Sequence, residues 1–163
     1  MSDIVWAINP AKDHLSDLSQ RMRHFASDVL TARQIEFAFR TPDPGRDVRV
    51  GANVRRELFL IFKEAVNNVV RHSGCTRADL EFRVDPDGFS LAVSDNGRGF
   101  DAAGAARGHG LASMRERTEG LGGRLEILSG PGEGTLLSLT IPLVDHAHAA
   151  PKGESAGRDA FPA

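Results

Sequence analysis

Cysteine is almost absent from this sequence, because Cys75 is the only one among 163 residues. An internal disulfide bond is therefore excluded, and a reducing compartment fits best. We interpret Cys75 as a small, partly buried thiol rather than as a nucleophile. Long apolar runs are missing as well, so we expect no membrane-spanning segment. No basic region precedes the short apolar stretch after Asp3, which argues against a signal peptide, and we expect a cytoplasmic protein or a fragment of one.

An excess of charge of one sign is also missing. The 20 Lys and Arg residues nearly balance the 22 Asp and Glu residues, for a formal net charge of -2. General attraction to nucleic acid or to an anionic membrane is therefore not expected. Apolar residues make up 40% of the chain and charged residues 26%, which is typical of a soluble globular protein with one sizeable core.

Helical periodicity is present in three segments. It predicts helices over residues 13–30, with Asp13 as the N-cap, over residues 53–73, and over residues 111–123. The second of these is the most regular, and its apolar stripe should face the core. The stripe consists of Leu58, Ile61, Phe62, Ala65, Val66 and Val69.

Strand-like alternation predicts five strands, and two tight turns, "DPDG" and "PGEG", join four of them as hairpins. No regular alternation of strand and helix is present. We therefore predict an α+β two-layer sandwich, in which a mixed, largely antiparallel five-stranded sheet carries about three helices on one face. The predicted strands are residues 35–41, 78–84, 89–95, 124–130 and 134–143.

Three polar residues of the 53–73 helix lie beside the apolar stripe. At roughly 100° per residue, Glu64, Asn68 and Arg71 project within about 60° of one another. An amide oxygen suits Mg²⁺, a guanidinium suits phosphate, and a carboxylate can orient or deprotonate an attacking group. A solvated helix face would explain the same pattern. Two adjacent asparagines in mid-helix, Asn67 and Asn68, favour a functional site because Asn is a mediocre helix former.

Three glycine-rich stretches follow this helix. Asp95 ends a predicted strand and enters "NGRG", where a carboxylate could accept a hydrogen bond from an exocyclic amine. "GHG" at 108–110 opens a helix, whose first N–H groups attract phosphate. "GEGT" at 132–135 is the last of them. Ordinary turns would explain each stretch taken alone.

Taken in order, these stretches resemble a known family. The superfamily is that of the GHKL ATPases, which includes sensor histidine kinases and the gyrase, mismatch-repair and heat-shock chaperone ATPases. The resemblance covers roughly residues 35–143 and implies the Bergerat ATP-binding fold with ATP and Mg²⁺ as cofactors. "GLASMRER" further resembles sensor kinases related to nitrate and lipid-fluidity sensors. The stretches that resemble the N, G1, G2 and G3 boxes are "EAVNNVVRH", "SDNGRGF", "GHGLASMRER" and "GEGT".

The resemblance assigns roles to individual residues of the helix. It implies that Asn68 coordinates Mg²⁺ and that Glu64 is a catalytic carboxylate near the γ-phosphate. Arg71 would contact phosphate, and His72 takes the next position, where many kinases have Tyr.

The glycine stretches would supply the rest of the nucleotide site. Asp95 would accept a hydrogen bond from the adenine amino group, and Thr135 would support it through a hydroxyl or a bridging water. Residues 100–110 would form a short lid over the phosphates. The other implied nucleotide-binding residues are Gly97 and Gly99, which would admit the adenine ring, and Gly108, Gly110 and Leu111 at the lid.

The resemblance also implies a division of the chain. Residues 1–30 resemble the segment between the phospho-accepting helix and the ATPase domain of such kinases. Residues 31–143 would form the catalytic domain. Residues 144–163 are rich in Ala, Gly, His and Pro, so we expect a disordered tail.

A phosphoacceptor motif is not found in the sequence. In kinases of this kind the acceptor His precedes an acidic residue, whereas His14 precedes Leu15 and His24 lies in "RMRHFAS". We interpret these two, and His146 and His148, as surface or packing residues.

The sequence therefore predicts a catalytic domain that transfers the γ-phosphate of ATP to a histidine outside this chain. Its partners would be a phosphoacceptor helical domain and a response regulator, with a homodimer possible and no nucleic acid or membrane contact. A non-catalytic ATP-binding interaction module and an anti-sigma-type serine kinase are the alternatives.

Overall fold

Three helices and five strands make up the part of the chain that the computed structural model describes, which is residues 13–43, 48–103 and 108–143. None of the helices in these ranges combines the length and the hydrophobicity needed to cross a membrane. A π-helical turn, Val69–Ser73, directly continues the second helix. The elements are α1 (Leu15–Thr31), β1 (Glu36–Arg40), α2 (Ala52–Asn68), β2 (Arg77–Asp85), β3 (Gly88–Asp95), α3 (His109–Gly120), β4 (Arg124–Ser129) and β5 (Thr135–Pro142).

The five strands form one mixed sheet in the order β1-β2-β3-β5-β4. Strands β1 and β2 pair in parallel, and the other three pairings are antiparallel. Alternation along β2 buries Leu80 and Phe82 against the helices, whereas Arg77 and Asp79 form an exposed ion pair on the other face. The predicted α+β sandwich with a largely antiparallel sheet is therefore confirmed.

Helix α1 belongs to the same core as the sheet and α2. Its apolar residues Leu18, Met22 and Leu30 are completely buried, as are Leu58 and Phe62 of α2. The division predicted at residue 30 therefore falls at the end of a helix that packs into this core. The assignment of residues 1–30 to a helical linker stays a prediction, and residues 1–12 and the predicted tail, 144–163, lie outside the described residues.

The start of α1 differs from the prediction that Asp13 is its N-cap. The helix begins at Leu15, and His14 occupies the N-cap position without a side-chain capping bond. The carboxylate of Asp13 forms an ion pair with the completely buried Arg55 of α2. In addition, the Asp13 carbonyl accepts a 2.7 Å hydrogen bond from the Val50 N–H, which fixes Asp13 beside α2. The N-cap prediction was wrong because this long-range pairing holds the carboxylate.

Replacing Asp13 with Ala should destabilise the fold. The buried guanidinium of Arg55 would lose this carboxylate, and the loss of one partner of a buried ion pair is costly. The side chain of Asp13 is itself 30% exposed, so we expect a loss of about 1–3 kcal/mol in the free energy of unfolding, measured by urea denaturation. Asp28→Ala, on the exposed side of α1, is the charge-matched control. Equal stability of the two variants would contradict the pairing.

Candidate nucleotide-binding site

A cavity of about 390 Å³ opens between α2 with its π-helical turn, the inner face of β3 and β5, and the start of α3. This volume is in the range that holds a small organic ligand. Its wall is mostly apolar, with a few polar groups that converge on it. The residues that line it are Ala65, Asn68, Val69, His72, Ser73, Val93, Asp95, Arg98, Gly99, Phe100, Gly108, Leu111, Ile127, Thr135 and Leu137.

Most of the residues that the sequence predicted for a nucleotide site share this one cavity. They come from the end of α2, the end of β3, the start of α3 and the start of β5, so the sheet and two helices bring four separate stretches together. Four predicted residues are not among those that line it: Glu64, Arg71, Gly97 and Gly110. The predicted residues that do line it are Asn68, His72, Asp95, Gly99, Gly108, Leu111 and Thr135.

The π-helical turn explains the position of Arg71. The prediction assumed regular α-helical rotation up to residue 73, but the α-helix ends at Asn68 and the next five residues are π-helical. A wider turn changes the direction of every later side chain. Arg71 is exposed, and His72 lines the cavity instead. The assumed rotation beyond Asn68 was therefore wrong, and a contact of Arg71 with phosphate stays a prediction.

Glu64 lies against the first turn of α3. A Cβ atom built on Gly110 would overlap Oε1 of the Glu64 carboxylate, so the two residues are in close contact. Helix α3 has no acidic residue in its own first turn. A carboxylate near a helix N-terminus is electrostatically favourable, so Glu64 supplies that charge from α2. Gly110 directly precedes the cavity-lining Leu111, so Glu64 lies close to the cavity without lining it.

Asp95 is the only carboxylate among the described residues that line the cavity. Its Oδ1 accepts a 2.8 Å hydrogen bond from the Gly97 N–H, in a local turn that begins where β3 ends. Burial raises the pKa of the Asp95 carboxyl, and backbone hydrogen bonds from Gly97 and Thr135 partly oppose that rise. A carboxylate has several acceptor positions, so Asp95 can still accept a hydrogen bond from a ligand.

Two glycines of the loop after β3 are in close contact with neighbouring backbone. A Cβ on Gly97 would overlap the Ser73 carbonyl, and one on Gly99 would overlap the Gly130 carbonyl. Gly99 also has a φ of +62°, a backbone conformation that residues other than glycine rarely adopt. The glycines therefore let the loop pack between the π-helical turn and the β4–β5 turn. Their predicted contact with an adenine ring stays a prediction.

The hydroxyl of Thr135 faces Ser129 at a distance of 3.0 Å. Ser129 Oγ also accepts a 2.9 Å hydrogen bond from the Phe100 N–H and donates one to the Gly134 carbonyl. Thr135 reaches Asp95 through its backbone, and the predicted role of its hydroxyl stays a prediction. Sequence reasoning missed Ser129, because nothing along β4 distinguishes this partly buried serine from an ordinary exposed one.

The donors in the cavity suit a metal ion that is bound together with phosphates. No cluster of three or more His, Cys, Asp or Glu side chains that could hold a metal occurs in the described ranges. Mg²⁺ often uses only one or two protein ligands, and phosphates and waters complete its shell. The single carboxamide of Asn68 at the cavity wall fits that arrangement.

Residues 53–145 match the family described as "Histidine kinase-, DNA gyrase B-, and HSP90-like ATPase". The match includes α2, the loop after β3, the start of α3 and the β4–β5 turn, which are the elements that form the cavity. The chain therefore belongs to this family of ATPase domains.

Among curated proteins, the chain is similar to two sensor kinases. It is 34% identical over 99 residues to the sensor histidine kinase LiaS of Bacillus subtilis, and equally to the sensor protein VraS of Staphylococcus haemolyticus. Each alignment covers 60% of this chain and 28% of the relative. The chain thus spans less than a third of the length of these relatives.

Solved structures confirm the fold. The histidine kinase domain of the blue-light activated kinase from Erythrobacter litoralis EL346 superposes with a TM-score of 0.67 at 22% identity, over 77% of this chain and 61% of that one. The histidine kinase AdeS of Acinetobacter baumannii gives a TM-score of 0.64 at 16% identity, over 78% of this chain and 64% of the other. The predicted Bergerat-type fold therefore agrees with these neighbours.

Proposed function

We propose that this chain is the Mg-ATP-binding catalytic domain of a sensor histidine kinase. It transfers the γ-phosphate of ATP to a histidine of a helical phosphoacceptor domain outside these 163 residues. The observation that carries the proposal is the convergence of Asn68, His72, Asp95 and Gly108 on one cavity in a chain of the histidine kinase-like ATPase family.

The cavity offers a different chemistry at each end. At the end of β3, the Asp95 carboxylate accepts a hydrogen bond from the adenine amino group, and apolar strand residues face the ring. At the end of α2, Asn68 coordinates Mg²⁺ that is bound to the phosphates. The N–H groups at the start of α3 face the phosphate anions, and Glu64 lies beside them near the γ-phosphate.

The proposal also includes the class of kinase to which the chain belongs and the partners of that kinase. The similarity to LiaS and VraS favours a sensor kinase over the gyrase-like and chaperone-like members of the family. The "GLASMRER" stretch of α3 favours the branch related to nitrate and lipid-fluidity sensors. A response regulator would then receive the phosphate from the acceptor histidine, in the cytoplasm, and a second copy of the kinase would complete a homodimer.

Phosphate transfer to a separately expressed acceptor domain tests the function. The chain is mixed with the helical domain of its own kinase, or with that of a related sensor kinase, and with γ-labelled ATP and Mg²⁺. We expect label on a histidine of the acceptor domain. Asn68→Ala should abolish the transfer, because Mg²⁺ would lose its ligand from the chain, whereas Asn53→Ala at the start of α2 should not.

The chemical stability of the product separates the alternatives. Phosphohistidine is labile in acid, whereas phosphoserine is stable. An acid-stable label on serine of a partner protein would support the anti-sigma-type serine kinase. ATP binding without transfer to any acceptor would support the non-catalytic module and contradict the kinase activity.

A further inference from the structure

Arg98 is bonded to two segments that flank the cavity. Its backbone N–H donates a 2.9 Å hydrogen bond to the Ser73 carbonyl, and its Nε–H donates a 2.6 Å bond to the His72 carbonyl. Its own carbonyl accepts a 2.6 Å bond from the Gly132 N–H in the β4–β5 turn. One residue of the loop after β3 therefore holds both the π-helical turn and the β4–β5 turn.

The hydrogen bond from Arg98 Nε–H to the His72 carbonyl lies at the C-terminal end of the π-helical turn that continues α2. The carbonyls at a helix C-terminus have no partner within the helix, and a basic side chain there satisfies them and suits the helix dipole. The π-helical turn begins directly after Asn68, and the carbonyls that Arg98 binds are those of its last two residues. Movement of these carbonyls would rotate the turn and, with it, the cavity-facing carboxamide of Asn68.

Among the described residues, the only side-chain hydrogen bond of Arg98 is the one to the His72 carbonyl. In the described ranges its guanidinium forms no ion pair, although the side chain also lines the cavity. Its Nε–H bond to His72 is short, and the bond crosses 26 positions of sequence. Neither the turn chemistry of "NGRG" nor the apolar pattern requires an arginine at this position.

We propose that Arg98 is a positioning residue, which holds the π-helical turn so that Asn68 presents its carboxamide to the metal of Mg-ATP. This inference deepens the proposed function and rests on it. Arg98 acts through the His72 carbonyl and not through contact with the nucleotide. Its removal should therefore affect the part of the binding that depends on Mg²⁺.

Calorimetric titration of the full chain with a non-hydrolysable ATP analogue, with and without Mg²⁺, tests this role. In Arg98→Ala, the gain in affinity that Mg²⁺ provides should fall about fivefold or more, whereas the affinity without Mg²⁺ should change less than twofold. Arg98→Lys keeps the charge but lacks the Nε–H donor, so it should show the same loss. Arg83→Ala, an exposed arginine that pairs with Glu81 on the other face of the sheet, is the matched control.

A double-mutant cycle with Asn68→Ala separates positioning from direct contact. If Arg98 acts through Asn68, Arg98→Ala should cost little further affinity in the Asn68→Ala background. An equal loss with and without Mg²⁺, or a fully additive double variant, would show direct contact and overturn the inference.

If Arg98→Ala does not fold, as judged by circular dichroism, Arg98→Lys is the variant that tests the inference. A wild-type chain that binds the analogue without any Mg²⁺ effect would overturn both this inference and the metal role in the proposed function, whereas a wild-type Mg²⁺ effect that Arg98→Ala retains would overturn this inference alone.

Discussion

Asp95→Asn should weaken the binding of an ATP analogue about ten- to a hundredfold. A hydrogen bond to a charged group contributes about 1.5–3 kcal/mol, and Asn replaces the carboxylate with a neutral amide. The Oδ1 position is already held by the Gly97 N–H, so the Nδ2 donor of Asn would face the donor amine of adenine. Calorimetric titration measures the loss. Asp79→Asn, an exposed carboxylate that pairs with Arg77 on the other face of the sheet, is the control.

The same substitution should not weaken the fold. Burial raises the pKa of the Asp95 carboxyl, so the folded state binds its proton more tightly than the unfolded state does. Such a group stabilises the fold below its unfolded pKa, and that contribution is lost as the pH rises through the folded pKa. At neutral pH the ionised carboxylate is therefore a cost that Asn removes. Thermal denaturation without nucleotide should show an equal or higher melting temperature for the variant.

The pH dependence of binding gives an independent test of Asp95. The affinity of the wild-type chain should fall in the acid range, as the pH drops through the raised pKa, because a protonated carboxyl is a weaker acceptor. The affinity of Asp95→Asn should have no such step. An unchanged affinity of the variant at neutral pH, or the same acid step in both proteins, would contradict the adenine contact.

The local part of the site could be predicted from the sequence. Asp95 and Gly97 are two residues apart, and the hydrogen bond between them closes a turn of the kind that the sequence "DNG" favours. The helical period likewise predicted the positions of two residues of α2. It places Leu58 on the side that is buried in the core and Asn68 on the neighbouring side, which lines the cavity. Strand alternation predicted the sheet for the same reason, since it depends only on neighbours along the chain.

The remaining features depend on contacts between distant parts of the chain. Asp13 pairs with Arg55 across 42 positions, and no local pattern distinguishes this carboxylate from a helix cap. The π-helical turn after Asn68 adds residues to one turn without any change in apolar spacing, so the sequence could not show that regular α-helical rotation ends before Arg71. Ala65 and Val69 were predicted only as members of the core-facing stripe, but they also line the cavity, because the strands that close it come from distant parts of the chain.

Gly99→Ala should produce the largest loss of stability that we expect. Gly99 has a φ of +62°, and a left-handed conformation costs an ordinary residue about 1–2 kcal/mol. A Cβ there would also overlap the Gly130 carbonyl and lie 2.9 Å from the Gly134 carbonyl. Both obstacles are backbone atoms, which cannot rotate away as a flexible side chain can. We therefore expect a total loss of about 2–4 kcal/mol in the free energy of unfolding, measured by urea denaturation.

Gly132→Ala is the matched control that isolates the contact from the backbone strain. Gly132 has a φ of +79°, but no atom lies within 4 Å of its built Cβ, so Ala there should cost about 1–2 kcal/mol at most. The difference between the two variants measures how tightly the loop after β3 packs on the β4–β5 turn. Because Gly99 also lines the cavity, its variant should lose affinity for the ATP analogue, whereas Gly132→Ala should keep it. Equal losses of stability and of affinity at the two glycines would mean that conformational strain alone decides both positions, and that the packing of this loop does not shape the cavity.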